Sequence, residues 1–580
     1  MNYVESEVLL ALVKTPGLTQ RELAEQVGIS LGLANRTLQA LKLAGILDGN
    51  ARITGKTLNL LEARKPRCAV ILAAGYGMRM VPVSNTPKAL LEVHGERLIE
   101  RQIRQLHDAG VHDISVVVGY RKEQFEYLTD QYGVKLICNP GYAVKNNLHS
   151  LALAVDCLDN SYIVPCDLWC DNNPFRAYEL CSWYAVSAEE DLHSDVRLNR
   201  KGELVRKTPA EAGNRMVGIA YICGEEATRL RAQLAELDQL RQYSGSFWEE
   251  TLYSGDRMTL PARVFPAGEA VEINTYEQLR ELDASSGNLQ AGAIAAICKV
   301  FGVQPDEITD IAVLKKGMTN RSFLFSVQGG QYIMRIPGEG TDKLINRRQE
   351  ARVYEAIRGR GLCDDPVYIN AETGYKITKY LPGVRVCDPE NEDDLRRCMT
   401  KLREFHRMHL QVEHRFDLWG QIDFYDSLWP SPQSMYRDYV ETKAAVLGLK
   451  PWVDAQPKEE FLTHIDAVCD NFLFCEEGLQ LTDWEYAGMQ DPYVDLAMFA
   501  VYSAFDRAKL DHLIDLYFED TCPPETRIKI YCYAAACGLL WSNWCEYKSS
   551  LGVEFGEYSL QQYRAAKEFS RLARKEIEKL

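Results

Sequence analysis

Apolar residues recur at helical spacing in three short runs at the start of the chain, Val4–Lys14, Thr19–Val27 and Ser30–Ala44. Thr19 precedes Glu22 by three, so each side chain can close a backbone N–H of the other, and Gly28 can take the left-handed turn that ends the helix. From Ile46 to Leu61 the pattern alternates around Asp48-Gly49-Asn50, which predicts a two-stranded wing. The pattern then changes. Cys68–Ala73 is a continuous apolar run, as a strand covered on both faces requires. Helical and extended patterns alternate after it through LIERQIRQLHDAG, DISVVVGY and VKLICN, predicting a doubly wound α/β sheet. Ala284–Gly292 (ASSGNLQAG) is small and polar and reads as a linker. Beyond it, a hairpin is predicted through Gly329-Gly330, then a helix carrying Glu350. The expected architecture is multidomain α/β and α+β: a winged helix-turn-helix over 1–65, a Rossmann-like domain over 66–285 and a bilobal domain over 290–580.

At 580 residues the chain is too long for one core, which fits three domains. A net charge of −16 argues against a nucleic-acid surface spread along the whole chain. Residues 1–65 carry eight Lys/Arg against six Asp/Glu, a net of +2, and Arg36 and Lys42 are the only charges on the third helix. DNA binding by this module and a dimerisation or regulatory role, hence a homo-oligomer, both stay open. The segment MNYVESEVLL has no basic flank before its apolar residues, so no signal peptide is expected. No apolar run approaches the roughly 20 residues needed to span a bilayer. The 17 cysteines form no CxxC pair and no Cys/His cluster at zinc spacing, and they read as reduced thiols of a cytoplasmic protein.

The candidate chemistry is concentrated in two places. His464, Asp466 and Asn471 stand in the order H-x-D-x-x-x-x-N, and Asp483 follows Asn471 by twelve at the end of an apolar segment. Phosphoryl transfer uses such a set: one carboxylate orients the attacking hydroxyl, while an amide oxygen and a second carboxylate hold Mg²⁺ against the phosphates of ATP. Earlier, Ala73 and Ala74 lead into Gly75-Tyr76-Gly77-Met78-Arg79, and Lys88 follows. Gly75 and Gly77 let backbone N–H groups approach a triphosphate, and Arg79 and Lys88 add positive charge. A dinucleotide loop is excluded, because the third glycine is missing and Pro82 and Pro87 interrupt any following helix.

LAAGYGMRMVPVSNTPKALLEVHGERLIE resembles the signature of sugar-phosphate and choline-phosphate nucleotidyltransferases, and YAVKNNLHSLALA, SYIVPCDLWCD, GSFWEETL and AVEINTYEQLREL resemble the phosphocholine branch. The resemblance implies that Asp167 coordinates Mg²⁺, with CTP and phosphocholine as substrates and pyrophosphate as product. The family usually has an aspartate where this chain has Asn274, an amide without charge; Glu272 could compensate. Trp248 would offer its ring to the quaternary ammonium, and Tyr184 either joins that cage or packs in the core. VLKKGMTNRSFLFSV, QYIMRIPGEGTDKLINRRQEARVYEAI, HIDAVCDNF and LTDWEYAG resemble bacterial choline kinases within the choline/aminoglycoside phosphotransferase superfamily, implying a bilobal protein-kinase-like fold. By that resemblance Gly317–Asn320 turns over the nucleotide phosphates, Arg335 takes the place of the kinase lysine with Glu350 as partner, and Lys379-Tyr380-Leu381 is the hinge. Asp466 accepts the hydroxyl proton, Asn471 and Asp483 hold Mg²⁺, and His464 supports the loop.

Glu485 and Tyr486 put a carboxylate and a ring where a substrate cation should lie, and Trp541, Trp544 and Tyr547 follow at i, i+3, i+6 along one helix. Rings with one carboxylate suit choline better than an aminoglycoside, which needs many acids. The implied product is CDP-choline for decorating surface glycans or lipids. A transcription regulator that senses choline metabolites, and the same chemistry on ethanolamine or another amino-alcohol, are the alternatives.

Overall fold

The computed structural model describes the chain except residues 76–85, 193, 200–201, 209–210, 291, 315–319, 339–340, 342–343, 364, 477 and 551–554. Gly77, Arg79 and Gly317 therefore lie outside the described residues. The chain divides into two compact units, Met1–Asp306 and Glu307–Leu580.

In the first unit the three predicted helices appear as Tyr3–Lys14, Gln20–Val27 and Leu31–Leu43. Thr19 and Glu22 cap the second reciprocally, and Gly28 ends it at φ 69°. The predicted wing is shorter than expected: Leu47 and Ile53 form an antiparallel bridge across Asp48-Gly49-Asn50, and Gly55–Ala63, read as part of its second strand, is a helix. Its buried residues Thr57 and Leu61 are four apart, a helical spacing that the alternation around Asp48-Gly49 obscured. This module is bonded to the sheet domain. Leu180 shares its core with Val8, Leu9 and Leu61; Arg176 pairs with Glu7 at 2.8 Å, and Asn160 Nδ2 donates to the Ala63 carbonyl.

The sheet itself runs Lys135–Cys138, Asp113–Val118, Cys68–Ala73, Ser161–Pro165, Gly213–Ile222, Trp183–Asp191 and Arg257–Phe265 in lateral order. Its first four strands are parallel, and Cys68–Ala73 lies inside them between two buried neighbours, which is why it is apolar throughout. The loops at the carboxyl ends of Cys68–Ala73 and Ser161–Pro165 therefore adjoin, bringing Ala74 and Asp167 to one edge of the sheet.

The predicted linker is also corrected. Gly287–Gln290 forms a single 3₁₀ turn, the Ser286 hydroxyl donates to the Glu92 carbonyl at 2.6 Å, and Leu289 is buried. Ser286 and Asn288 thereby satisfy the carbonyl and the N–H of Glu92. The helix Gly292–Phe301 follows within the same unit.

The second unit opens with a five-stranded antiparallel sheet ordered Thr309–Val313, Asn320–Val327, Gly330–Pro337, Lys376–Lys379 and Tyr368–Ile369. Its hairpin turns at Gln328 and Gly329, both left-handed. The helix Arg347–Ile357 carries Glu350, and the helices from Glu392 to Ile577 form a second layer around one large apolar core. Among the described residues no helix is long and apolar enough to cross a membrane.

Candidate functional sites

In the first unit Pro87 leads into the single turn Lys88–Leu90. Lys88 Nζ lies 3.1 Å from Asp167 Oδ2 and also donates to Asn274 Oδ1. The pairing of Ala270–Glu272 with Leu168–Cys170, and a bond from Ile273 N to the Asp167 carbonyl at 2.9 Å, hold Glu272 and Asn274 beside Asp167. Burial, then the charge of Asp167, pushes the Glu272 carboxyl up. The oxygens of Asp167 and Asn274 already converge on a cation, the Lys88 ammonium, so this oxygen set fits Mg²⁺.

Ala74 accepts a hydrogen bond from Tyr120 N at 3.2 Å, beside Gly119. A Cβ on Gly119 would come within 2.7 Å of that Ala74 oxygen and of Tyr142. This close approach of Gly119 and Tyr142 to the nucleotide loop had no signal in the sequence beyond a glycine after a strand. Trp248 and Tyr184 lie side by side with ring centroids 6.0 Å apart, but both are fully buried with Ala220 and Leu234. Core packing thus accounts for them as they stand. The polar group beside them that sequence reasoning missed is Glu249, which accepts from the Tyr184 hydroxyl at 3.1 Å and whose carboxyl burial pushes up to about 7.

In the second unit one cavity of about 500 Å³ is lined by Arg335, Lys376, the segment Thr378–Leu381, Asp466, Asn471, Asp483, Glu485, Tyr486, Trp541 and Trp544. Asn320 also lines it. The loop His464–Asn471 joins two short strands, Phe461–Thr463 and Phe472–Cys475. Asn471 Nδ2 donates to the Asp466 carbonyl at 2.8 Å and to its carboxylate at 3.1 Å, while a ring nitrogen of His464 meets the Thr482 carbonyl at 2.9 Å. His464 thus ties the loop to the residue before Asp483. Burial, and then the charges of Asp483 and Glu485, hold the Asp466 carboxyl well above the usual range.

Arg335 and Glu350 form the expected pair, bidentate at 2.5 and 2.8 Å. Two cations not singled out from the sequence join them: Arg347 lies 3.1 Å from Glu350 and 3.3 Å from Glu485, and Lys376 lies 3.8 Å from Glu350. Glu485 also accepts from Asn320 at 2.7 Å. The expectation that Glu485 meets the substrate cation is therefore corrected. Arg335, Arg347 and Lys376 balance Glu350, Glu485 and Asp483, so Glu485 is already neutralised. Asp483 differs: its Oδ1 is buried, lies 3.8 Å from Arg335 Nη1 and makes no hydrogen bond among the described residues. With Asn471 lining the same cavity, this orphaned oxygen fits a divalent cation.

The rings are close-packed, Tyr486 against Trp541 at 5.7 Å and Trp541 against Trp544 at 5.4 Å, both edge to face. Tyr547 does not line the cavity. Each step of three residues falls about 60° short of a full turn, so the third member of the stripe has rotated away from the first.

Residues 69–177 match the MobA-like NTP transferase domain, residues 310–531 the phosphotransferase enzyme family, and residues 1–48 the winged helix-turn-helix DNA-binding domain. The choline-phosphate cytidylyltransferase of Streptococcus pneumoniae is 50% identical over 230 residues, which are 37% of this chain and 96% of that protein. Protein LicA of Haemophilus influenzae is 25% identical over 263 residues, 43% of this chain and 97% of that one. The crystal structure of choline kinase LicA from Streptococcus pneumoniae is 28% identical, covering 48% of this chain and 97% of its own, with a TM-score of 0.43. With half of the 230 aligned residues identical across nearly the full length of that shorter relative, this chain belongs to the choline-phosphate cytidylyltransferase family, joined in one polypeptide to a winged helix-turn-helix module and a phosphotransferase-family domain.

Proposed function

We propose that the chain makes CDP-choline in two steps, phosphorylating choline with ATP in the second unit and joining the phosphocholine to CMP from CTP in the first. The observation that carries the reading is the cavity that combines Asp466, Asn471 and Asp483 with the ring wall of Tyr486, Trp541 and Trp544. A quaternary ammonium donates no hydrogen bonds and is suited to ring faces rather than to an array of acids.

In the first step Asp466 orients the choline hydroxyl and takes its proton as the oxygen attacks the γ-phosphorus and ADP leaves. Asn471 and Asp483 would hold Mg²⁺, which supplies charge neutralisation at the phosphates when bound. In the second step a phosphocholine oxygen, already ionised, attacks the α-phosphorus of CTP and pyrophosphate leaves. Lys88 exchanges its contacts with Asp167 and Asn274 for phosphate oxygens, and Asp167 with Asn274 and Glu272 would hold the second Mg²⁺. The product would supply phosphocholine for surface glycans or lipids. In the winged helix, Lys42 donates to the Gly49 carbonyl, which leaves Arg36 as the exposed charge on the third helix and favours a structural or regulatory role over DNA reading.

The test is the purified chain with choline, ATP, CTP and Mg²⁺, read by mass spectrometry, with ethanolamine as comparator. CDP-choline should form, with choline preferred in kcat/KM. Asp466→Ala should abolish phosphorylation and leave CTP chemistry intact, and Lys88→Ala the reverse. Operator DNA bound with neither turnover would favour the regulator instead.

A further inference from the structure

Arg335 and Lys376 stand directly opposite each other on adjacent antiparallel strands, so their side chains share a face, and both line the cavity. Their commitments differ. The Arg335 fork is locked on Glu350 through two hydrogen bonds, and Nη2 also donates to the Gly374 carbonyl at 3.2 Å. Arg347 is likewise held by Glu350 and Glu485. Among the described residues the Lys376 ammonium makes one hydrogen bond, at 2.7 Å to the Tyr354 hydroxyl, and its carboxylate contact with Glu350 is longer at 3.8 Å. Of the three cations in this cluster it is the one whose shortest contact is neutral.

We propose that the two tasks which a single strand lysine performs in protein kinases are divided here. Arg335 anchors the Glu350 helix, and Lys376, on the neighbouring strand, supplies the ammonium that meets the nucleotide phosphates. The assignment rests on reading this cavity as the nucleotide site. A guanidinium fixed bidentate on a buried carboxylate cannot turn to a ligand without leaving that carboxylate unpaired. A lysine is a compact charge on a flexible stem with three donors, and exchanging a phenol for a phosphate oxygen replaces a neutral hydrogen bond by a charge-assisted one. The charges agree with it: Arg335 and Arg347 are committed to Glu350 and Glu485, so of these three cations Lys376 is the one that can turn to a phosphate without leaving a short ion pair.

The test compares ATP and adenosine binding to the full chain and to Lys376→Met by calorimetry. ATP affinity should fall about tenfold or more, the value of one charged hydrogen bond, while adenosine affinity stays within about twofold. An equal loss for both ligands, as a general disturbance of the cavity would give, overturns the assignment, and so does an unchanged ATP affinity. Because the variant removes a buried charge and can unfold, the wild-type chain provides a second measurement. Adenosine bearing a 5′-fluorosulfonylbenzoyl group should modify Lys376: the amine attacks sulfur, fluoride leaves, a sulfonamide forms and the proton goes to solvent. ATP should block the labelling and choline should not. Label on other residues with none on Lys376 overturns the proposal. Failure of the wild-type chain to bind either ATP or adenosine would instead bring down the reading of the cavity itself.

Discussion

Ile465 is a β-branched residue in the left-handed region, at φ 71°, immediately before Asp466, the base we propose. Such a conformation costs about 1–3 kcal/mol and persists only when its surroundings enforce it. Asp495 does so: its two carboxylate oxygens accept from His464 N at 3.0 Å and Ile465 N at 2.7 Å, and His406 braces the same carboxylate at 2.9 Å. An asparagine there would turn one N–H donor toward another. Asp495→Asn should therefore lower kinase kcat by about 100-fold through a misplaced Asp466 and leave CTP turnover unchanged. At the ring wall, Trp544→Leu keeps most of the bulk and removes the π face. KM for choline should rise about 2- to 30-fold and KM for ATP should not follow. Glu249 yields a pH prediction. Its folded-state value of about 7 exceeds the ordinary 4.5, so across that window the folded chain holds the extra proton and stability falls as pH rises. Glu249→Gln should stabilise the chain by up to about 3 kcal/mol at pH 8 and coincide with wild type at pH 4.5, as thermal unfolding at both values would show.

Among the elements, the helix Pro524–Ser550 is buried on every side, without a break over Ile528–Trp544, because other elements surround it, and Lys529 within it is paired with Asp491 at 2.7 Å. It crosses the helix Glu557–Ile577 so closely at Gly538 that a Cβ there would lie 2.7 Å from the Ala566 nitrogen and the Gln562 oxygen. Both are backbone atoms that cannot step aside. Gly538→Ala should lower stability by about 1–3 kcal/mol, read as a lower Tm with loss of kinase activity before loss of CTP chemistry. The same helix places Trp541 and Trp544 on the cavity, so shifting it should also weaken choline binding.

At the scale of the molecule, the boundary between Asp306 and Glu307 separates two units, each with its own core and its own candidate site. Residues 1–306 and 307–580 expressed separately should each retain their own reaction. An equimolar mixture should form CDP-choline at a steady-state rate within about twofold of the intact chain, since tethering without a channel raises the intermediate's local concentration only modestly. A rate several times lower for the mixture would point to transfer between sites. A chain ending near residue 285 should be less stable than one ending at 306, because the buried face of Gly292–Phe301 belongs to the first unit.

Much of this was legible in the residues. Helical and alternating patterns fixed the first three helices, the strand Cys68–Ala73 and the hairpin at Gly329. The order and spacing of His464, Asp466, Asn471 and Asp483 pointed to phosphoryl transfer, because the first three share one short loop and Asp483 lies just past the hairpin, Phe472–Cys475 with Gly478–Leu481, that follows it. The helix at Gly55 and the docked turn at Gly287 were not legible, since short polar segments take whichever conformation their neighbours satisfy. Nor was the fate of Glu485. Arg347, which pairs with it, and Asn320, which donates to it, stand 138 and 165 residues away, and Lys376 stands opposite Arg335 only because two strands pair. Local spacing can declare which chemistry a chain carries. Which charges remain free to perform it is set by long-range packing, where each buried ion must find a partner.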